Sequence, residues 1–327
     1  MLNSSKLPAD PLSDLLNFLQ ARCDLTGRLV AGATWARRFA NLHAIKFCAA
    51  TEGACWYFMD GLPEPAILEA GDVLVTNGTR SLILASDSSL VAGATTAPLK
   101  RDDDGQYRLG QGSDFAMLGG MVQIDADRQA LLLSGLPPLI HVRGTTKEAA
   151  PLSWLLEQLV REMKLEDQPG RTIVIAGLTQ LLFVQTLRAY LAHAPNGDEG
   201  WLKGFGDHRL AIALSSIHSE PSRSWSLEEL AREANMSRTS FAVRFREMMG
   251  VPPLTYLTQW RMHLARRELR AGASISEAAA AVGYTSESAF SSAFKRVMNM
   301  APGQYRRTAE GKTMGTRTAA PFATHDC

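Results

Sequence analysis

WSLEELAREANMSRTSFAVRFREMMG, residues 225–250, and SISEAAAAVGYTSESAFSSAFKRVM, residues 274–298, are two versions of one plan. In the first, Ser226 and Glu229 stand just before an apolar run, three residues apart. At that spacing each side chain satisfies a free amide of a starting helix. Leu227, Leu230 and Ala231 then fall on one face at helical spacing. Asn235 occupies the turn, where left-handed backbone angles are needed and Asn tolerates them better than most residues. Ser237 caps the next helix, whose Phe241 and Phe245 face one way. In the second version Ser274 and Glu277 form the box, Gly283 makes the turn, and Phe290 and Phe294 anchor a helix that starts near Ser286. Each version reads as a helix-turn-helix unit. Between them Pro252 and Pro253 open a helix containing Leu254, Leu257, Trp260 and Leu264. Proline costs little there, because the first amides of a helix lack partners anyway. Two units held at a fixed separation can enter successive major grooves of double-stranded DNA, roughly 34 Å apart.

Charge points the same way. Residues 202–308 hold 15 Lys+Arg against 9 Asp+Glu, whereas residues 1–201 hold 17 against 22. The net charge of +1 therefore hides a basic C-terminal part and an acidic N-terminal part. A basic module attracts phosphate, with an affinity that falls as salt rises.

Residues from about 203 to 307 resemble the DNA-binding domain of the AraC/XylS family of bacterial transcriptional regulators. GYTSESAFSSAFKRVMNMAPGQYR carries the family's glycine–aromatic turn, its AF…FK run and its closing P-x-x-Y-R. The resemblance implies that Thr239, Ala242 and Val243 face bases from the first recognition helix. Glu287, Ser288, Ser291 and Ser292 do so from the second. Many relatives place arginine where Val243 and Ser292 stand, and arginine makes the strongest single base contact, bidentate to guanine. Weaker discrimination per base follows, with shape and phosphate contacts carrying more. Arg238, Arg244, Arg246, Lys295 and Arg296 are the candidate phosphate contacts, although any of them could equally be a solvated surface charge.

The N-terminal part has a different texture. Residues 10–21 read as a short amphipathic helix. The runs LTGRLVAG, AIKFCAA, ACWYFMDG, PAILEAGDVLVTNG and RSLILASD follow, bounded by Gly, Pro, Asp and Asn. Such short runs at regular spacing predict an antiparallel barrel or sandwich. Residues 99–112 are polar and Gly-rich and read as a loop, and a pair of strands is expected between Phe115 and Ile124, ahead of the segment around His141. IKFCAATEGACW followed by LEAGDVLVTNGTRSLILASD is similar to the cupin-like sensor domain often fused to AraC-type readers. An enzymatic cupin needs a metal, usually on two or three histidines and a carboxylate. Here Ala54, Cys55, Trp56 and Tyr57 stand where a His-x-His step belongs, and Arg80, Ser81 and Leu82 where a second-motif histidine would fall. No metal and no cofactor are expected. The barrel reads instead as a pocket for a small-molecule effector, with Lys46, Trp56, Arg80 and His43 as candidate contacts. A lone histidine near a strand is more often structural.

Residues 151–164 and 171–193 read as two helices. The second is apolar over most of its surface, so it needs more than one neighbour. Gly177, Gln180, Gln185 and Arg188 argue against a membrane span, and the helix reads either as a core helix packed on the barrel or, as the resemblance to AraC-type sensors implies, as a homodimer face. The N-terminus shows no signal-peptide pattern. Residues 194–200 (APNGDEG) read as a hinge, and residues 309–327 as a disordered tail. The cysteines at 23, 48, 55 and 327 form no C-x-x-C pair and suit a reducing cytoplasm, with Cys48 and Cys55 expected to be buried small hydrophobes.

The expected architecture is an α+β two-domain chain. Residues 1–150 form a cupin-like β-barrel and 151–200 a helical dimerisation segment and hinge. Residues 201–308 form an all-α tandem helix-turn-helix domain. The function implied is a cytoplasmic regulator on promoter DNA, controlled by a small-molecule effector or a partner bound to the N-terminal domain, with RNA polymerase as a further partner. Two alternatives stay open: a metal-independent cupin enzyme with a DNA-binding appendage, and a constitutive DNA binder without effector.

Overall fold

The computed structural model describes residues 10–40, 44–124, 135–165, 167–193 and 202–315. His43, the hinge at 194–200 and the chain beyond 315, Cys327 included, lie outside the described residues. The chain divides into two compact units, Leu15–Gly206 in one and Asp207 onward with the residues up to Asp14 in the other. Helix α1 (Pro11–Leu19) places Leu12, Leu15, Leu16 and Leu19 on one buried face.

Among the described residues ten strands build the N-terminal unit: β1 (Arg22–Gly32), β2 (Ala36–Phe39), β3 (Ile45–Glu52), β4 (Ala54–Met59), β5 (Ala66–Glu69), β6 (Val73–Thr76), β7 (Leu82–Ala85), β8 (Tyr107–Gly110), β9 (Phe115–Gln123) and β10 (Leu139–Val142). They form a six-stranded sheet in the order β10-β6-β3-β9-β1-β8 and a four-stranded sheet in the order β2-β7-β4-β5. Side chains alternate between the faces of a strand, so every second residue points at the same core. That core holds Leu29, Ala31, Ala50, Cys55, Tyr57, Met59, Leu68, Leu74, Leu84, Phe115 and Met117.

Two expectations from sequence are corrected here, and one strand is added that the sequence did not announce. Residues 115–123 form one nine-residue strand, not a pair. Gly119 and Gly120, a turn signal locally, lie within it, and the ring of Phe47 takes the space that a Cβ at Gly120 would fill, with Cζ only 1.9 Å from it. Residues 107–110 are strand, not loop: β8 pairs in parallel with β1, and Tyr107 and Leu109 pack against the core. The short β2, ARRF, pairs with β7 and had no hydrophobic signature to reveal it.

Helices α2 (Ala150–Lys164) and α3 (Arg171–His193) have the predicted spans. Leu152, Leu155, Leu156 and Leu159 are the buried face of α2. Arg171 donates to the carbonyls of Glu162 and Met163 at 3.1 and 2.9 Å and so caps the end of α2. Among the described residues α3 is the one helix long and apolar enough, by length and composition, to cross a membrane. It packs on α2 and β1, and Gln180 accepts a hydrogen bond from the Cys23 amide at 3.1 Å. Its C-terminal half buries Leu182, Phe183 and Leu187, while Ile173 is 79% exposed and Leu181 50% in its N-terminal half.

After the short α4 (Leu202–Gly206), the reader unit consists of α5 (His208–Ser219), α6 (Leu227–Glu233), α7 (Arg238–Met249), α8 (Pro253–Arg270), α9 (Ile275–Ala281), α10 (Glu287–Met298) and α11 (Pro302–Gly315). Both capping boxes form, Ser226 with Glu229 and Ser274 with Glu277. Asn235 and Gly283 take left-handed angles, φ 51° and 82°. The long α8 separates the two units, burying Tyr256, Leu257 and Trp260 early and Met262, Ala265 and Leu269 later. Leu254 is on its exposed side. Residues 309–315, expected in a disordered tail, are helical instead, because α11 continues to Gly315. Ala309, Glu310, Lys312 and Met314 are good helix formers, so the turn opened at Pro302 propagates.

Candidate nucleic-acid interface

Each recognition helix begins on a serine whose hydroxyl accepts from the third amide: Ser237 from Ser240 N, Ser286 from Ala289 N. The buried side is fixed by the ring pairs Phe241–Phe245 (5.5 Å between centroids) and Phe290–Phe294 (5.7 Å). The opposite side must therefore be free. On α7, Thr239 and Val243 are exposed, Val243 by 52%, and Ala242 is half-buried. On α10, Glu287, Ser288 and Ser292 are exposed and Ser291 is half-buried. The stripe Thr239, Ala242, Val243, Arg246 on α7 matches Ser288, Ser291, Ser292, Lys295 on α10 position for position. Helical periodicity thus places six of the seven expected base-facing residues on two small-residue stripes, each ending in a cation, and leaves Glu287 at the first position of α10 beside them.

The five candidate phosphate cations fare differently. Arg246, Lys295 and Arg296 are exposed and form no ion pair among the described residues. Arg238 Nε lies 3.0 Å from Glu228, with both side chains mostly in solvent. Arg244 is held more firmly: Nε and Nη2 sit 2.6 and 2.5 Å from Asp207 Oδ2, and the Asp207 side chain is only 4% exposed. Sequence reasoning did not single out Asp207. Its one local signal is a helix-capping position, since its Oδ1 accepts from the amides of Arg209 and Leu210.

A cupin family model matches residues 10–192 and a helix-turn-helix domain model matches residues 230–308. An AraC-like transcription regulator of Streptomyces lividans is 40% identical over 299 residues, which is 91% of this chain and 98% of that protein. Another from Streptomyces antibioticus is 41% identical over 300 residues, with the same coverage. The chain belongs to the AraC family of transcription regulators. Among solved chains, the DNA-binding domain of AdpA in complex with a target DNA is 30% identical over 31% of this chain and 91% of its own, with a TM-score of 0.30. By its family model and these relatives, this regulator is an AraC-type DNA-binding protein, and DNA is its partner.

The sensor candidates are not gathered into one site. Lys46 shares the core-facing side of β3 with Cys48 and Ala50, and burial lowers its ammonium pKa. Trp56 stands between the core residues Cys55 and Tyr57, so it leaves the other face of β4. Arg80 is exposed between strands and donates to the Asp60 carbonyl at 2.9 Å. His43 lies outside the described residues. Among those residues no cluster of His, Cys, Asp and Glu could hold a metal. Burial pushes the thiols up, Cys48 to about 11 and Cys23 to about 12, which leaves them poor nucleophiles.

Two other features of the sensor were not read from sequence. One is a buried polar chain: Tyr57 Oη lies 3.1 Å from His141 Nδ1, and His141 Nε2 lies 2.8 Å from Asp72 Oδ2. Asp72 also accepts from the Gly144 amide at 2.8 Å and the Glu69 amide at 3.1 Å. Burial alone would raise the Asp72 carboxyl, but the bonds from His141, Gly144 and Glu69 outweigh it and hold it below the usual range. The carboxylate accepts the hydrogen bond from His141 Nε2, and in the tautomer that donates there Nδ1 accepts from the Tyr57 hydroxyl. The other is a cleft of about 530 Å³ between α2 and the rim of the sheets. Ala50, Ala70, Leu156 and Val160 give it apolar walls, and Arg161 and Lys164 stand among its lining groups.

Proposed function

We propose that this regulator reads promoter DNA with α7 and α10 in successive major grooves, under the control of a small molecule bound by the sensor. Thr239, Ala242, Val243, Glu287, Ser288, Ser291 and Ser292 face bases, while Arg246, Lys295 and Arg296 hold phosphates. The two matching exposed stripes carry this reading: nothing in the reader's own core needs them, and each is small enough for close approach to a groove. The apolar contact Val243 offers suits a thymine methyl, and Glu287 suits a cytosine amino group.

The effector acts at the α2 cleft rather than inside the barrel. The space between the sheets is filled by packed side chains, whereas the cleft has the size range of small-molecule sites. A ligand there bridges α2 and the turn at Gly71, and it shifts the regulator only by favouring one arrangement of the two. The regulator acts in the cytoplasm as a homodimer through the exposed face of α3, where Ile173, Val174 and Leu181 form an apolar patch that an isolated chain has no reason to keep. RNA polymerase is the further partner through which bound regulator alters transcription.

Selection of binding sites from random DNA by the full chain, followed by base-by-base substitution, tests the DNA part. Val243→Ala should relax preference at one position of one sub-site and Ser292→Ala at one position of the other. Unchanged preference for both variants would remove the assignment. Sedimentation of Ile173→Glu and Leu181→Glu chains tests the dimer, which they should split.

A further inference from the structure

One arginine of α7 beside its base-reading stripe is held by an acid rather than left free. Arg244 follows Val243 directly, yet its guanidinium lies on Asp207, 37 positions earlier in the chain. The two oxygens of Asp207 have separate tasks. Oδ1 caps α5 through two amides, at 3.0 and 3.1 Å, and Oδ2 takes both Nε and Nη2 of Arg244. With its side chain 4% exposed and its rotamer set by the cap, Asp207 cannot follow Arg244 outward. The pair opens only if Arg244, half exposed at 51%, swings away. The contrast with Arg238 and Glu228 is informative, because those side chains are 66% and 53% exposed and gain little from pairing. Asp207 is also the first residue of the reader unit after Gly206.

We propose that Asp207 is a specificity-determining residue that withholds Arg244 from the DNA backbone. Phosphate contacts raise affinity for every sequence alike, so one cation held back on the flank of α7 lowers sequence-independent binding and leaves base contacts to decide more of the total. Arg244 then positions α7 against α5 and does not act as a DNA contact. This inference rests on α7 facing DNA, as proposed above.

The salt dependence of binding by the full chain to a non-specific duplex separates the possibilities, since each phosphate contact adds about 0.9 to the slope of log affinity against log salt. Asp207→Asn keeps a good cap and removes the charge. It should bind non-specific DNA more tightly at low salt, with a slope steeper by about 0.9, or about a 3-fold larger loss of affinity between 50 and 200 mM salt. Arg244→Ala alone should leave the slope unchanged, and the double variant should return it to the parent value. A slope that falls by about 0.9 in Arg244→Ala overturns the proposal, because Arg244 would then already touch phosphate. So does an Asp207→Asn chain that merely melts earlier and binds all DNA more weakly at an unchanged slope. Arg246→Ala is the control: if it lowers the slope while Asp207→Asn does nothing, this inference alone fails. If Arg246→Ala is silent as well, α7 does not face the backbone and both readings fall.

Discussion

Helices α7 and α10 start on the same serine cap and bury the same pair of phenylalanines, but the charges around them differ. Two of the three arginines considered on α7 lie against carboxylates, Arg238 on Glu228 and Arg244 on Asp207. Lys295 and Arg296 on α10 form no ion pair among the described residues, and the acid on that helix, Glu287, sits at its first residue. A duplicated scaffold thus presents two electrostatic faces, one with its cations largely engaged and one with them free. The turns differ too. Asn235 makes one and Gly283 the other, with a Cβ at Gly283 falling 2.2 Å from the Ser222 carbonyl oxygen. The first turn tolerates a side chain and the second does not.

The largest expected effect probes what the halves share. Phe245→Ala and Phe294→Ala each remove a fully buried ring, which costs about 3–5 kcal/mol in comparable cores. Both variants should lose the reader's cooperative melting by calorimetry at comparable temperatures; a large difference would show that one half folds independently of the other. The next effect separates the turns. Left-handed angles cost a residue with a Cβ roughly 1–2 kcal/mol, and at Gly283 a collision with backbone is added. Gly283→Ala should therefore destabilise the chain by more than Asn235→Ala in denaturant titration, and equal losses would contradict the geometry.

The smallest effect concerns the capping boxes. The backbone bond from Ser226, then its hydroxyl, lowers the Glu229 pKa, and Ser274 does the same for Glu277. A carboxyl whose folded pKa lies below its free value of 4.5 adds stability above that pH and loses it as pH falls through the folded value. Glu229→Gln and Glu277→Gln keep a hydrogen-bonding group and lose the charge. Each variant should melt below the parent at neutral pH and converge on it in acid. A gap that widens as pH falls would reverse the sign and refute the assignment.

Much of the reader was legible in sequence because its signals are local. A capping box, a left-handed turn residue and a phenylalanine pair all lie within one or two helical turns. The strands containing Phe47, Tyr57 and Leu84 were legible for the same reason, as short apolar runs between turn residues. What failed depends on distant partners. β8 is a strand because β1 is beside it, and the glycines of β9 serve the ring of Phe47 rather than a turn. The sensor residues chosen for their chemistry fell on opposite strand faces, since one register step moves Trp56 out of the core that holds Tyr57. The Asp207–Arg244 pair and the Tyr57–His141–Asp72 chain join residues far apart in sequence, and no spacing rule brings them together.

Hydroxyl-radical footprinting of the full chain on a selected DNA site tests the account most directly. Two protected patches on one face, about one helical turn or 34 Å apart for each chain, are expected, with Lys295→Ala weakening the patch that α10 covers. A single patch per chain, or two that Lys295→Ala weakens equally, would contradict reading by both helices.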